Sequence, residues 1–259
     1  MNSEWNEKYS VASGEITNRL RNLSQVAQEA TLSTVLALNI KNPKVLEIGC
    51  GTGQHSVALA RCSPEGEFVA TDSSESAIAE TRALAYAADV QVKSCVADIL
   101  QLPFDDSKFD VVFGDHVIAH VPNIELALHE CFRVVKPGGY LVINASNALR
   151  PDGWKLYHAL TPMPYLWRDF FPWKLHSLVT GAGFSVIKSY GSTIYLDRGI
   201  KKLFKKGGFG KKPNNSDTLA PLKKQSRLLV FKRHIFSLLE RVVPPFMLVE
   251  YGVVARKKI

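Results

Sequence analysis

The 259-residue chain has few cysteines, and none of the four forms a C-x-x-C pair. Cys50, Cys62, Cys95 and Cys131 lie far apart, which argues against a zinc site and reads them as small buried hydrophobes. No apolar run approaches the roughly 20 residues needed to span a bilayer. The segment Met1-Asn2-Ser3-Glu4-Trp5-Asn6-Glu7 lacks the apolar core of a signal peptide, so the expected compartment is the cytoplasm. Acids are almost missing from residues 198–233, where twelve Lys or Arg stand beside one acid, Asp217. Without that segment the net charge of +8 turns slightly negative, so the chain is not a uniformly basic nucleic-acid binder.

What is present is enough for a full core: 46% of residues are hydrophobic and no linker divides them, which favours one domain over 1–259. From 44 to 146, short β-like runs alternate with helical patterns. Strands are expected at 44–50, 67–71, 90–97, 109–114 and 140–144, and helices at 54–62, 75–88 and 124–135. Beyond them, 173–180 reads as a helix, and 184–196 and 246–255 as strands six and seven. Alternation of this kind specifies an α/β fold, a mostly parallel sheet with helices on both faces. Around this core of 44–146, the expectation is an N-terminal helical cover at 1–43, an aromatic loop at 147–172 and a C-terminal part at 173–259 carrying a basic insertion, 198–245.

The first strand ends in Gly49-Cys50-Gly51-Thr52-Gly53 and a helix follows. Alternate glycines permit positive φ and let a ligand lie against bare backbone. Alone, the loop also fits a tight turn without a ligand, or a dinucleotide site. The dinucleotide pattern requires a glycine where Gln54 stands, and the P-loop pattern requires a Gly-Lys-Ser/Thr that does not follow. Asp72 ends the second strand nineteen residues after Gly53, where a carboxylate can accept from ribose hydroxyls. Asp98 ends the third, where it can meet an exocyclic amine. Either alone could be a turn or capping residue.

Taken together, Val45-Leu46-Glu47-Ile48-Gly49-Cys50-Gly51-Thr52-Gly53, Asp72, Ala97-Asp98, Phe109-Asp110-Val111-Val112-Phe113 and Arg133-Val134-Val135-Lys136-Pro137-Gly138-Gly139 resemble the class I S-adenosylmethionine-dependent methyltransferases. The likeness is to their small-molecule branch, which includes ubiquinone- and menaquinone-type enzymes. It implies a Rossmann-like seven-stranded sheet of order 3-2-1-4-5-7-6 with the last strand antiparallel. The implied cofactor is S-adenosyl-L-methionine, and the product S-adenosyl-L-homocysteine. By the same resemblance Glu47 orders the loop or contacts the cofactor amine, and Gly49, Gly51 and Gly53 pass its methionine portion. Asp72 would hold the ribose, Ser73 would stand beside the adenine, Asp98 would meet its amine, Ile99 would pack on the ring, and Asp115 would lie near the methionine portion.

Methyl transfer from a sulfonium needs alignment first, and a base only if the acceptor must lose a proton. His116, after the fourth strand, is the candidate base, and His120 a substrate-side residue or one bonded to backbone. The aromatic loop supplies Trp154, Tyr157 and Trp167 as candidate acceptor contacts, and Tyr9 is placed over the cofactor with the N-terminal segment. No metal is expected. The basic insertion reads as an amphipathic helix with a solvated face, or as a contact for an anionic membrane surface or acidic partner. The leading expectation is an enzyme methylating a small, lipid-like or aromatic molecule. An RNA methyltransferase and a non-catalytic cofactor-binding protein remain as alternatives, since fold does not imply function. The fourth strand lacks the Asn/Asp-Pro-Pro-aromatic motif of amino-methylating members, so nucleic acid is not favoured. The oligomeric state is not legible.

Overall fold

The computed structural model describes residues 13–26, 29–149, 166–192 and 250–259. Seven strands form one sheet: β1 (Lys44–Ile48), β2 (Glu67–Asp72), β3 (Lys93–Val96), β4 (Phe109–Gly114), β5 (Val135–Ser146), β6 (Phe184–Ser192) and β7 (Glu250–Lys257). Their order is β3-β2-β1-β4-β5-β7-β6, with β7 antiparallel to both neighbours and the other pairings parallel. This is the arrangement the resemblance implied.

Period-two alternation distributes the strand residues between two cores. Leu46, Ile48 and Val112 face one side, while Val45, Val111 and Phe113 face the other. On the second side lie α1 (Ser13–Val26), α2 (Ala30–Leu36), α3 (Gln54–Cys62) and α4 (Glu75–Ala87), through Leu23, Leu32, Val57, Leu59 and Leu84. On the first lie α5 (Ile124–Val134) and α6 (Pro172–Gly181), through Leu128, Cys131, Leu175 and Val179. Local chemistry starts these helices where it should. The side chain of Ser74 accepts from Ala77 N–H, that of Asn123 accepts from Leu126 N–H, and Pro172 opens α6 where its missing N–H is harmless.

Several boundaries differ from the sequence expectation. Among the described residues, the N-terminal cover holds two helices, α1 and α2, with Glu29 in extended conformation before the second. Strand β5 starts at Val135 rather than 140, because Val135 pairs with Phe109 directly after α5. The Lys136-Pro137-Gly138-Gly139 turn is absorbed as a register shift between Phe109 and Val111. Strand β3 is shorter than 90–97, and β7 runs on to Lys257. Cys62 is exposed at the end of α3 and Cys95 is half-buried, so only Cys50 and Cys131 are the buried hydrophobes expected. Among the described residues, no helix is long and apolar enough to cross a membrane.

Candidate active site

In an open α/β sheet the ligand crevice lies beyond the carboxyl ends of the strands, where strand order reverses. Here that point falls between β1 and β4. The loop after β1 holds Gly49, Gly51 and Gly53 at φ +65°, +52° and +72°, a left-handed conformation that side chains resist. Two of these glycines also make room for protein. A Cβ on Gly49 would lie 2.3 Å from the Val117 side chain, and one on Gly53 2.5 Å from that of Thr81. Val117 belongs to a short 3-10 turn, Val117–His120, that follows β4 and lies on the loop. The bare backbone at Gly49 and Gly53 therefore also serves close packing, beyond the contact with a ligand that the sequence suggested.

The two strand-end acids stand where expected. Asp72 accepts from Gly51 N–H at 2.9 Å and from Ser74 N–H at 3.0 Å, so it shapes the loop and starts α4 together. Ser73 is half-buried beside it. Asp98, exposed beyond β3, accepts from Leu100 N–H at 2.9 Å, and Ile99 is partly buried against the core next to it.

Behind the loop lies a buried polar cluster, most of which the sequence did not announce. Glu47, 1% exposed, accepts from Ser56 N–H at 3.0 Å and from the Ser56 hydroxyl, pinning the start of α3. His55 lies with Nδ1 3.3 Å from Glu47 and Nε2 3.1 Å from Glu29. Burial opposes its charge, but the bonds to Glu29 and Glu47 and the nearby Asp115 outweigh that and hold His55 well above the ordinary histidine range. Asp115 accepts from Thr31 Oγ1 at 2.7 Å and from Asn144 Nδ2 at 2.8 Å. Burial alone would raise it, yet the charges of His116 and His55 and these two bonds keep it below the usual carboxylate range. Asn144 also gives Thr31 a 3.0 Å bond and receives one from His116 N–H at 2.8 Å, while Tyr190 donates to Thr31 at 3.4 Å.

His116 adopts φ +57°, a strained backbone for a side chain that costs about 1–3 kcal/mol and concentrates at functional sites. Its Nε2 is 2.8 Å from Glu250 Oε1, and both side chains are largely buried, at 13% and 8% exposure. Glu250 opens β7. Because that strand is antiparallel, its first residue pairs with Ser146 at the carboxyl end of β5 and so joins the site. Trp167 stacks on His116 with ring centroids 6.4 Å apart and meets His120 edge-on at 5.1 Å. His120 itself lies 2.7 Å, through Nδ1, from the Leu166 carbonyl oxygen, the backbone role weighed for it from sequence. Tyr9, Trp154 and Tyr157, and the basic insertion 198–245, lie outside the described residues.

Residues 39–169, half of the chain, match the family described as a methyltransferase domain. The chain belongs to that family. It is a class I S-adenosylmethionine-dependent methyltransferase, and its resemblance to the small-molecule branch is matched by a curated relative. The demethylmenaquinone methyltransferase of Staphylococcus aureus (strain JH9) is 38% identical over 103 residues. That match spans 39% of this methyltransferase and only 42% of the relative's length. Solved structures share the fold over more of the chain. Phosphoethanolamine N-methyltransferase 2 of Haemonchus contortus, in complex with S-adenosyl-L-methionine, covers 88% of this chain and 52% of its own at TM-score 0.58 and 18% identity. The cyclase SpnF covers 93% of this chain and 81% of its own at TM-score 0.60 and 18% identity, a likeness of fold alone.

The methyltransferase's own residues fit S-adenosylmethionine. Asp72 and Asp98 place acceptors along one wall, on the β2 and β3 side of the loop. On the other, among the described residues, Glu29, Glu47, Asp115 and Glu250 outnumber His55 and His116, an acidic balance suited to a donor with an ammonium and a sulfonium.

Proposed function

We propose that this methyltransferase acts on a small molecule, aromatic or lipid-like, that gives up a proton when methylated, and that His116 receives the proton. The observation that carries the reading is the His116–Glu250 pair beneath Trp167. S-adenosylmethionine supplies, when bound, a methyl group on a sulfonium that leaves as neutral S-adenosylhomocysteine. Glu250 on Nε2 favours the tautomer with its proton on that nitrogen, which puts the basic lone pair on Nδ1. Glu250 then stabilises the imidazolium that forms, as an orienting carboxylate does in other base–carboxylate pairs. The Trp167 ring offers a flat wall for a planar acceptor, and the strained backbone of His116 fixes the imidazole against it. Alignment of this kind can supply roughly 7–11 kcal/mol of a barrier. The relative named for demethylmenaquinone supports an acceptor of this class.

The test is incubation of the protein with methyl-labelled S-adenosylmethionine and cell extract, followed by partition of the label. Label in a small-molecule or lipid fraction supports the proposal, and label confined to RNA or protein overturns it.

A further inference from the structure

We propose that His55 is a positioning residue of the donor site: as an imidazolium it bonds Glu29 and Glu47 at once, and so holds the N-terminal cover against the glycine loop. This holds whatever the acceptor, and does not involve His116. Three observations meet at the residue. Both ring nitrogens face carboxylate oxygens, Nε2 to Glu29 at 3.1 Å and Nδ1 to Glu47 at 3.3 Å. A neutral imidazole has one donor and one acceptor nitrogen, so it would set a lone pair against one of these carboxylates, whereas the imidazolium donates to both. Second, the partners come from separate elements: Glu29 immediately precedes α2, Glu47 lies in β1, and His55 is in the first turn of α3, two residues after Gly53. Third, α2 makes a parallel connection two residues on, where Thr31 donates to Asp115 at 2.7 Å. The cover is thus fastened to both sides of the donor crevice, to the loop after β1 through His55 and to the end of β4 through Asp115.

Among the described residues, the groups facing His55 are Glu29, Glu47 and Asp115, with the Phe113 ring edge-on at 6.5 Å. All three titratable neighbours are acidic. The folded value of His55 is therefore raised above its unfolded one, and the sign follows. The fastening is complete below about pH 6.5 and is lost as pH rises through the raised folded value. Each pH unit of that difference is about tenfold in the equilibrium between fastened and released cover.

Three measurements on the full chain test this. Imidazole NMR of the ligand-free protein follows His55, hydrogen exchange follows residues 13–36, and calorimetry gives the Kd for S-adenosylhomocysteine between pH 6 and 10. His55 should stay protonated well above neutral pH, and protection of 13–36 and affinity should fall together as it titrates. His55→Gln should weaken the Kd about tenfold or more at pH 6.5 and flatten its pH profile. Glu29→Gln keeps an acceptor but removes a charge, so it should move the midpoint to lower pH. A merely structural histidine would not give that displaced midpoint. Titration of His55 near 6.5, or a Glu29→Gln midpoint equal to that of the native chain, overturns the proposal, and does so without reference to turnover or acceptor.

Discussion

His116 and Glu250 meet at 2.8 Å although 134 residues separate them, and that separation decides what a sequence can show. His116 was legible because it follows a strand that ends beside a glycine loop. Glu250 was not, since its position depends on an antiparallel register. The same holds for Thr31, Asn144 and Tyr190, each bonded across more than a hundred residues of chain. His116→Ala should lower kcat by about 10²–10⁴ while the Kd for S-adenosylhomocysteine changes little, measured by steady-state kinetics and calorimetry. Glu250→Gln should retain more activity and move the acid limb of the pH–rate profile downward, because the neutral amide no longer stabilises the imidazolium. Asp115 sets a limit in the opposite sense. Its depressed folded value makes its contribution present above about pH 3.8 and lost as pH falls through the folded value. Gly49 gives a test of packing: Gly49→Ala combines φ +65° with a 2.3 Å approach to Val117. It should destabilise by about 1–3 kcal/mol or more in urea unfolding, with partial recovery in Gly49→Ala/Val117→Ala.

At the scale of elements, the strands and helices of 44–146 were read closely because their two periodicities are strong and their glycines and caps are local. The misses have physical causes. Strand β5 begins early because pairing with Phe109 is available as soon as α5 ends, and tertiary pairing overrides the turn signal at Pro137-Gly138. In the helical cover the sequence singled out Tyr9 and missed Glu29, Thr31 and Arg19, because their parts are expressed by single side chains. Arg19 bonds Glu80 of α4, whose side chain is 1% exposed. Arg19→Ala would leave that carboxylate buried without its cation. It should cost about 2–3 kcal/mol, less than a fully buried pair because Arg19 is 18% exposed, and adding Glu80→Gln should recover much of the loss. Chemical denaturation of the single and double variants reads this directly.

For the whole molecule, the charge distribution is the feature the fold does not absorb. An otherwise slightly acidic chain carries its excess of Lys and Arg in 198–233. We propose contact of the 198–245 insertion with an anionic membrane surface, which would suit a lipid-like acceptor. The full chain should bind vesicles containing phosphatidylserine at low salt and release them as salt rises, and neutralising the lysines of 201–212 should abolish binding. Equal binding to neutral and anionic vesicles would overturn the idea.

The antiparallel strand β7 has a consequence for assembly. It lies between β5 and β6, yet it is the last of the three along the chain, so among the described residues β6 has no sheet partner until β7 arrives. A strand inserted between two earlier ones contributes contacts of long sequence separation, the kind that form slowly. In pulse-labelled refolding, amides of β1 and β4 should become protected first, and those of β6 and β7 later and together. Glu250 arrives with β7, so the His116–Glu250 pair is completed in the same late event. A partly folded chain could hold its glycine loop in place well before it could carry out the proposed reaction.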